Sequence, residues 1–248
     1  MSTVASQSLN PALFEALPTG EYTVKPEIRE KLLEIASEFI NYLAEDGLEL
    51  DVVDIRLVGS NAGYDYQDTS DIDLHLVADL DNLCCDDTIV QVALNAEKQR
   101  FNNTYDITVK GIPVEVYVED VRTGVNSCGI FSLARGGWVK YPVPADPIPD
   151  KFLAEIEEKF GRWTNIINAA LSRKHEKELQ RIINRLYLMR KDGLDTVGIN
   201  SCGNQIFKKE RAAGLLDALK QAKDEAISER LTMECRIAQE ALSHGSFN

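Results

Sequence analysis

The chain has 248 residues, 44% of them apolar, which is enough for one large domain or two modest ones with ordinary cores. Its formal net charge of −13 argues against broad nonspecific binding to a nucleic-acid backbone, which needs many Lys and Arg contacts, although a local basic groove stays compatible with it. The five cysteines, with no C-x-x-C pair, argue against a structural zinc site and for reduced thiols in the cytoplasm. No apolar run of about 18 residues predicts a membrane span, and the opening MSTVASQSLNPALFEALP lacks the basic-then-apolar pattern of a secretory signal.

In chain order, residues 1–25 are weakly patterned, with Pro11 and Pro18, and read as an arm packed on the body. Pro26 can open a helix, and Ile28, Leu32, Ile35, Phe39 and Leu43 recur at helical spacing up to a stop at Gly47. Val53, Ile55 and Leu57 alternate with polar residues as in a half-buried strand, and residues 71–78 alternate again. Residues 86–101 predict a helix. Strands follow at Tyr105–Val109 and Ile112–Val118, joined by a tight turn at Lys110-Gly111. GIFSLARGGWVKY, residues 129–141, predicts a small hairpin with Gly136-Gly137 at its tip.

The segment 142–150, PVPADPIPD, holds four prolines and marks a boundary. Beyond it three apolar stripes predict helices. The first runs through Ile156, Phe160, Trp163, Ile167 and Ala170. The second runs from Leu179 to Tyr187 and closes at Gly193. The third begins at Ile206 and runs toward Leu242, with Leu194–Gly203 as the loop before it. The fold class is therefore α+β: a mixed sheet of four to five strands with flanking helices, then a helical C-terminal domain. The domain reading is an arm at 1–25, a catalytic domain at 26–145 and a helical domain at 146–248.

The chemistry concentrates in VGSNAGYDYQDTSDIDLHLV, residues 58–77. Asp71 and Asp73 are two apart on a strand, so both carboxylates point to one face while Ile72, Leu74 and Leu76 point to the other. Two adjacent carboxylates repel, and divalent cations supply the missing countercharge. Gly59-Ser60 follows a strand directly, where backbone N–H groups and a hydroxyl can bind phosphate oxygens. Glu115, on a later strand, completes a three-carboxylate cluster if that strand pairs beside 71–76; Glu119, Asp120 and Asp106 are the alternatives. Such a cluster suits a two-metal displacement at phosphorus.

Gly59-Ser60, then Ser70-Asp71-Ile72-Asp73-Leu74, then Glu115 together resemble the polymerase-β-like nucleotidyltransferase superfamily. A closer likeness, to uncharacterised nucleotidyltransferase-like proteins of tailed phages, covers most of the chain. It includes LNPALFE, KPEIREKLLEIASEFI, VKGIPVEVYVED and NQIFKKERAAGLLDAL. The resemblance implies that Asp71, Asp73 and Glu115 are catalytic and hold two Mg²⁺ or Mn²⁺ ions. It implies that Gly59, Ser60 and Ser70 contact the triphosphate, with Lys208, Lys209 or Arg211 of the helical domain on its outer phosphates. The nucleotide would lie in a cleft that the helical domain closes, and a phage protein of this kind would work in the host cytoplasm.

Other residues carry two readings each. His75 either touches substrate or is a satisfied polar residue. Lys110 either contacts phosphate or is an exposed turn lysine. Arg135 and Lys140 could line the acceptor side, and Trp138 and Tyr141 either stack on a base or pack the hairpin. For the acceptor, a hydroxyl at an RNA 3′ end stands against a protein or small molecule, and against a nucleotide-binding regulator that catalyses nothing.

Overall fold

The computed structural model describes residues 8–81, 83, 86–125 and 127–244, and their side chains except those of Asp87 and 233–244. The described residues divide into two compact units, one up to Asp146 and one from Pro147 onward. The fold is α+β with a mixed sheet. No helix among the described residues is long and apolar enough to cross a membrane.

In the first unit, α1 (Pro26–Glu45) starts on a proline and buries one stripe, Ile28, Leu32, Ile35, Ala36, Phe39 and Leu43. It ends where Gly47 takes φ +81°. Strands β3 (Asp51–Val58) and β4 (Ile72–Asp79) pair antiparallel, with a register shift between Val52 and Asp54. Helix α2 (Asp87–Thr104) begins on Asp86, whose side chain accepts from the Thr88 N–H at 2.8 Å. A two-residue β5 (Thr108–Val109) then turns through Lys110 and Gly111, both at positive φ, into β6 (Ile112–Asp120). β6 runs parallel to β4. β7 (Ile130–Ser132) pairs with β3, and β8 (Gly137–Lys140) with β7.

The sheet order is β5-β6-β4-β3-β7-β8, six strands where the sequence predicted four or five. The count rises because both strands of the predicted 129–141 hairpin, β7 and β8, join the main sheet beside β3. The apolar face, with Leu57, Ile72, Leu74, Leu76, Val114 and Val116, packs in one core with α1 and with Phe101 of α2. Along β6, the Asn102 side chain takes the place of a neighbouring strand. It donates to Val116 O at 3.2 Å and accepts from Val116 N at 3.1 Å. That closes an edge that would otherwise expose backbone groups.

The N-terminal segment is more than an arm. Residues 1–7 of the predicted arm lie outside the described residues, but from Ser8 the chain enters the fold. Leu9, Leu13, Phe14 and Val24 belong to the main core, and β1 (Phe14–Ala16) pairs with β2 (Tyr22–Val24). Phe14 stacks on Trp138 with ring centroids 5.5 Å apart, and Trp138 Nε1 donates to Tyr22 O at 2.6 Å. An isolated hairpin this short is marginal in water, so these aromatic contacts are what hold it.

The second unit contains α3 (Asp150–Arg173), α4 (Glu176–Thr196), α5 (Cys202–Ala212) and α6 (Leu215–His244). Its core joins Ile167, Ala170, Leu179, Ile183, Leu186, Phe207, Leu216 and Leu219. Gly193 does not close α4, which runs on to Thr196. A Cβ on Gly193 would lie 2.4 Å from Ser201 Oγ, so its glycine serves close packing. The third stripe is two helices, broken at Gly214 with φ +72°.

Candidate active site

Alternation along β4 sets Asp73 and His75 on the face opposite the Ile72, Leu74 and Leu76 core. In the parallel ladder Asp73 faces Glu115, His75 faces Tyr117 and Val77 faces Glu119. Paired residues share a face, so Glu115 stands on the same side as Asp73 and next to it. Asp71 precedes β4 with the same parity. Its carbonyl accepts from Asn61 Nδ2 at 2.7 Å, and Asn61 Oδ1 in turn accepts from Asn10 Nδ2 at 2.8 Å. Asn61 is fully buried, so this bridge ties the acidic loop to the N-terminal segment.

The three acids act together on one phenol. Tyr117 donates its hydroxyl to Glu115 Oε2. Its pKa is raised, first by burial, then by that hydrogen bond and by the charges of Glu115, Asp73 and Asp71. The Lys98 ammonium lies 3.7 Å from the centre of the Tyr117 ring. Burial lowers its pKa, while the Glu115 and Asp73 charges oppose that shift. The acids thus have a resident cation and a hydroxyl donor at hand, both supplied by neighbours that the motif does not contain.

Gly59 is required where it stands. Its φ is +74°, and a Cβ there would lie 1.8 Å from Asp73 Oδ2. The Asp73 carboxylate therefore rests directly on the Gly59 backbone. Gly59 N–H donates to Ser127 Oγ at 3.0 Å, and the turn Ser60–Ala62 closes with Ala62 N–H on Gly59 O at 3.2 Å. In such a turn the N–H groups of Ser60 and Asn61 have no partner within the turn, and of the two residues only Ser60 is exposed in part. Ser60 Oγ donates to Ser70 Oγ at 2.9 Å, which also accepts from Gln67 N–H at 3.0 Å. The two serines form one linked pair.

Of the alternatives to Glu115, Glu119 and Asp120 are engaged elsewhere. Glu119 is buried, with His75 Nδ1 2.9 Å from Oε2 and Arg56 Nη1 3.7 Å from Oε1. That also places His75 among satisfied polar residues. Asp120 is clasped by Arg122, which lowers its pKa. Asp106 is exposed, as is Lys110 at its turn. Trp138 packs inside the hairpin, Tyr141 Oη accepts from Tyr22 N–H at 3.0 Å, and Lys140 donates to Ser127 O at 2.7 Å. Arg135 is exposed. In the second unit Lys209 pairs with Glu157 at 2.6 Å, and Lys208 and Arg211 are half-buried on α5. Cys84 and Cys85 lie outside the described residues.

The donor set suits a hard divalent cation: three carboxylates on one side of the sheet, without a thiolate. As the side chains stand, no three His, Cys, Asp or Glu groups among the described residues are grouped to hold an ion. Glu115 instead faces the Tyr117 hydroxyl. An ion at Glu115 Oε2 would take the place of that hydroxyl.

No family model, curated protein or solved structure matches the chain. Tyr117, Lys98, Asn61 and Ser127 were not legible as site residues. Tyr117 had a signal in its place two residues after Glu115 on the same strand face. The others join the site through turns and a helix whose placement no local pattern gives.

Proposed function

We propose that the chain is a metal-dependent nucleotidyltransferase that moves a nucleoside monophosphate from a nucleoside triphosphate to an acceptor hydroxyl, releasing pyrophosphate. The observation that carries this is the register of Asp73 against Glu115, with Asp73 lying on the Gly59 backbone beside the Ser60 turn. Asp71, Asp73 and Glu115 would hold Mg²⁺ or Mn²⁺, which supplies charge neutralisation at phosphorus and lowers the pKa of a bound hydroxyl.

The chain's own part is positioning and proton management. The Ser60 N–H and the Ser60–Ser70 hydroxyl pair orient phosphate oxygens. Glu115 takes the proton of the acceptor hydroxyl as its oxygen bonds to the α-phosphorus. The bond from that phosphorus to the bridging oxygen breaks, and pyrophosphate leaves with the electron pair. The proposed acceptor is an RNA 3′ hydroxyl; the acidic balance of the chain fits a protein or small-molecule acceptor instead.

One observation favours a second reading, a nucleotide-binding protein without turnover: the Glu115 carboxylate already accepts the Tyr117 hydroxyl. A single experiment separates these. Each labelled triphosphate is incubated with Mg²⁺ or Mn²⁺ and with no acceptor, total RNA or total protein, beside an Asp71→Ala, Asp73→Ala control. Label on RNA, on protein or in a new soluble nucleotide names the acceptor. Nucleotide binding without transfer in every arm leaves the binding protein.

A further inference from the structure

Helix α4 carries three exposed cations at four-residue intervals, Lys177, Arg181 and Arg185. Residues four apart lie on one helix face, so the three charges span about 12 Å along the axis. With Lys223 of α6 they line a groove of about 610 Å³ between the two helices. The groove also holds the amides of Gln180 and Asn184, which hydrogen-bond to each other at 2.8 Å, and the exposed Leu188.

The charge on this groove is uncompensated. The chain has 40 acidic residues for 27 basic ones, and several cations elsewhere on this unit pair with carboxylates, although Lys151, Arg190, Lys191 and Lys220 pair with none among the described residues. Arg173 pairs with Glu178, Lys174 with Glu225 and Lys159 with Glu155. The groove's own carboxylate, Glu176, accepts from Arg230 at 3.0 Å. Lys223 has Asp224 at 3.1 Å. Lys177, Arg181 and Arg185 make no ion pair with any carboxylate among the described residues. Three like charges held in a row in an acid-rich chain repel one another and call for an anion with repeated charge.

We infer that this groove binds the phosphodiester backbone of a single-stranded polynucleotide. Its cations repeat about every 6 Å along the axis, on the scale of the distance between successive phosphates of an extended single strand. The Gln180 and Asn184 amides offer both donors and acceptors to base edges, and Leu188 offers an apolar surface against a base. The net charge of −13 opposes any polyanion at long range, so the binding is confined to this row and weakens steeply with salt. An acidic peptide lacks the even charge spacing. The inference stands on the groove alone, and if the proposed transfer also holds it names the acceptor class.

The test is fluorescence anisotropy of labelled 12-nucleotide RNA and DNA single strands with the full chain, at several salt concentrations. The wild type is expected to bind on the order of 10 μM at low salt. A Lys177→Gln, Arg181→Gln, Arg185→Gln variant should bind at least about tenfold more weakly, with a slope of log K against log salt shallower by about 2. A Lys31→Gln, Lys110→Gln control should bind as wild type. Preference for RNA over DNA would add recognition of the 2′ hydroxyl; equal binding would assign the contact to the backbone. The inference falls if the wild type does not bind at 100 μM protein, or if the triple variant keeps its affinity and slope. It falls equally if polyglutamate displaces RNA at matching charge concentration, which would make the partner an acidic protein. Wild-type binding lost in the triple variant, with no nucleotide transfer by the wild type, would leave this inference standing and overturn the proposed transfer alone.

Discussion

The polar face of β3, β4 and β6 carries carboxylates at both ends, and the two ends treat them differently. At one end, Asp54 accepts from Arg56 Nε at 2.9 Å and from Ser132 Oγ at 2.6 Å, while Glu119 is shared by Arg56 and His75. Asp54 and Glu119 are buried and matched. At the other end, Asp71, Asp73 and Glu115 are half-buried and crowd on one phenol, and the charges of Glu115 and Asp73 act on the Lys98 ammonium. A carboxylate whose partners are fixed contributes to the fold. Like charges crowded on one phenol disfavour one another, and an added cation would relieve them.

The difference is sharpest in what each end loses when altered. Asp73→Asn should abolish nucleotide transfer, on the order of 10³-fold or more, while leaving the melting temperature level or higher because a like charge has gone. Labelled-triphosphate turnover beside a thermal melt checks this. A melt lowered by several degrees with turnover retained would put Asp73 among the structural acids. The opposite pattern is expected of Arg56→Met. That change leaves Asp54 and Glu119 buried without their shared cation and should cost about 3 kcal/mol of stability in urea titration. Nucleotide binding by the molecules that remain folded should persist.

Much of this contrast was legible in the sequence, though unevenly. Strict alternation in IDLHLV fixes Asp73 on the face away from the core, because a one-residue slip would bury the acids and expose the leucines. Which later acid joins it was not legible. Glu115 and Glu119 have the same parity, and only the pairing of Ile72 with Val114 decides between them. That pairing depends on a helix and a two-residue strand between β4 and β6, whose geometry no local pattern encodes. The N-terminal hairpin escaped for a related reason. Its strands have three residues each, and its stability comes from Trp138, more than a hundred positions away. Gly193 misled because a missing side chain marks close packing as readily as a helix end.

A third carboxylate environment, in the helical unit, extends the contrast. Glu210 is 1% exposed; Thr164 Oγ1 lies 3.3 Å from Oε1, and Oε2 has no hydrogen-bond partner. Burial raises its pKa from 4.5 to about 7. A raised acid binds its proton more tightly when folded, so its contribution is full below about pH 4.5 and declines as pH rises through about 7. Glu210→Gln should remove that decline and add about 2 kcal/mol at pH 8, where the wild type must hold a buried charge. Urea titrations of both proteins at pH 5 and pH 8 read it directly. Parallel pH dependence in the two would mean that another group carries the slope.

The smallest effect probes the acidic end itself. Tyr117→Phe removes the hydroxyl that Glu115 accepts and keeps the ring under Lys98. Without divalent ions the variant should lose about 1 kcal/mol, the value of one hydrogen bond to a half-buried carboxylate. With Mn²⁺ the order should reverse in affinity. An oxygen of Glu115 no longer has to leave a hydroxyl before facing a cation, so the concentration of Mn²⁺ that half-saturates thermal stabilisation should fall. The two effects have one origin and opposite signs, which separates a hydroxyl that stands in for a cation from one that only packs. A loss of stability with an unchanged Mn²⁺ midpoint would make Tyr117 structural. A wild-type melt indifferent to Mn²⁺ at millimolar concentration would remove the cation from the acidic end and leave the nucleotide-binding reading in its place.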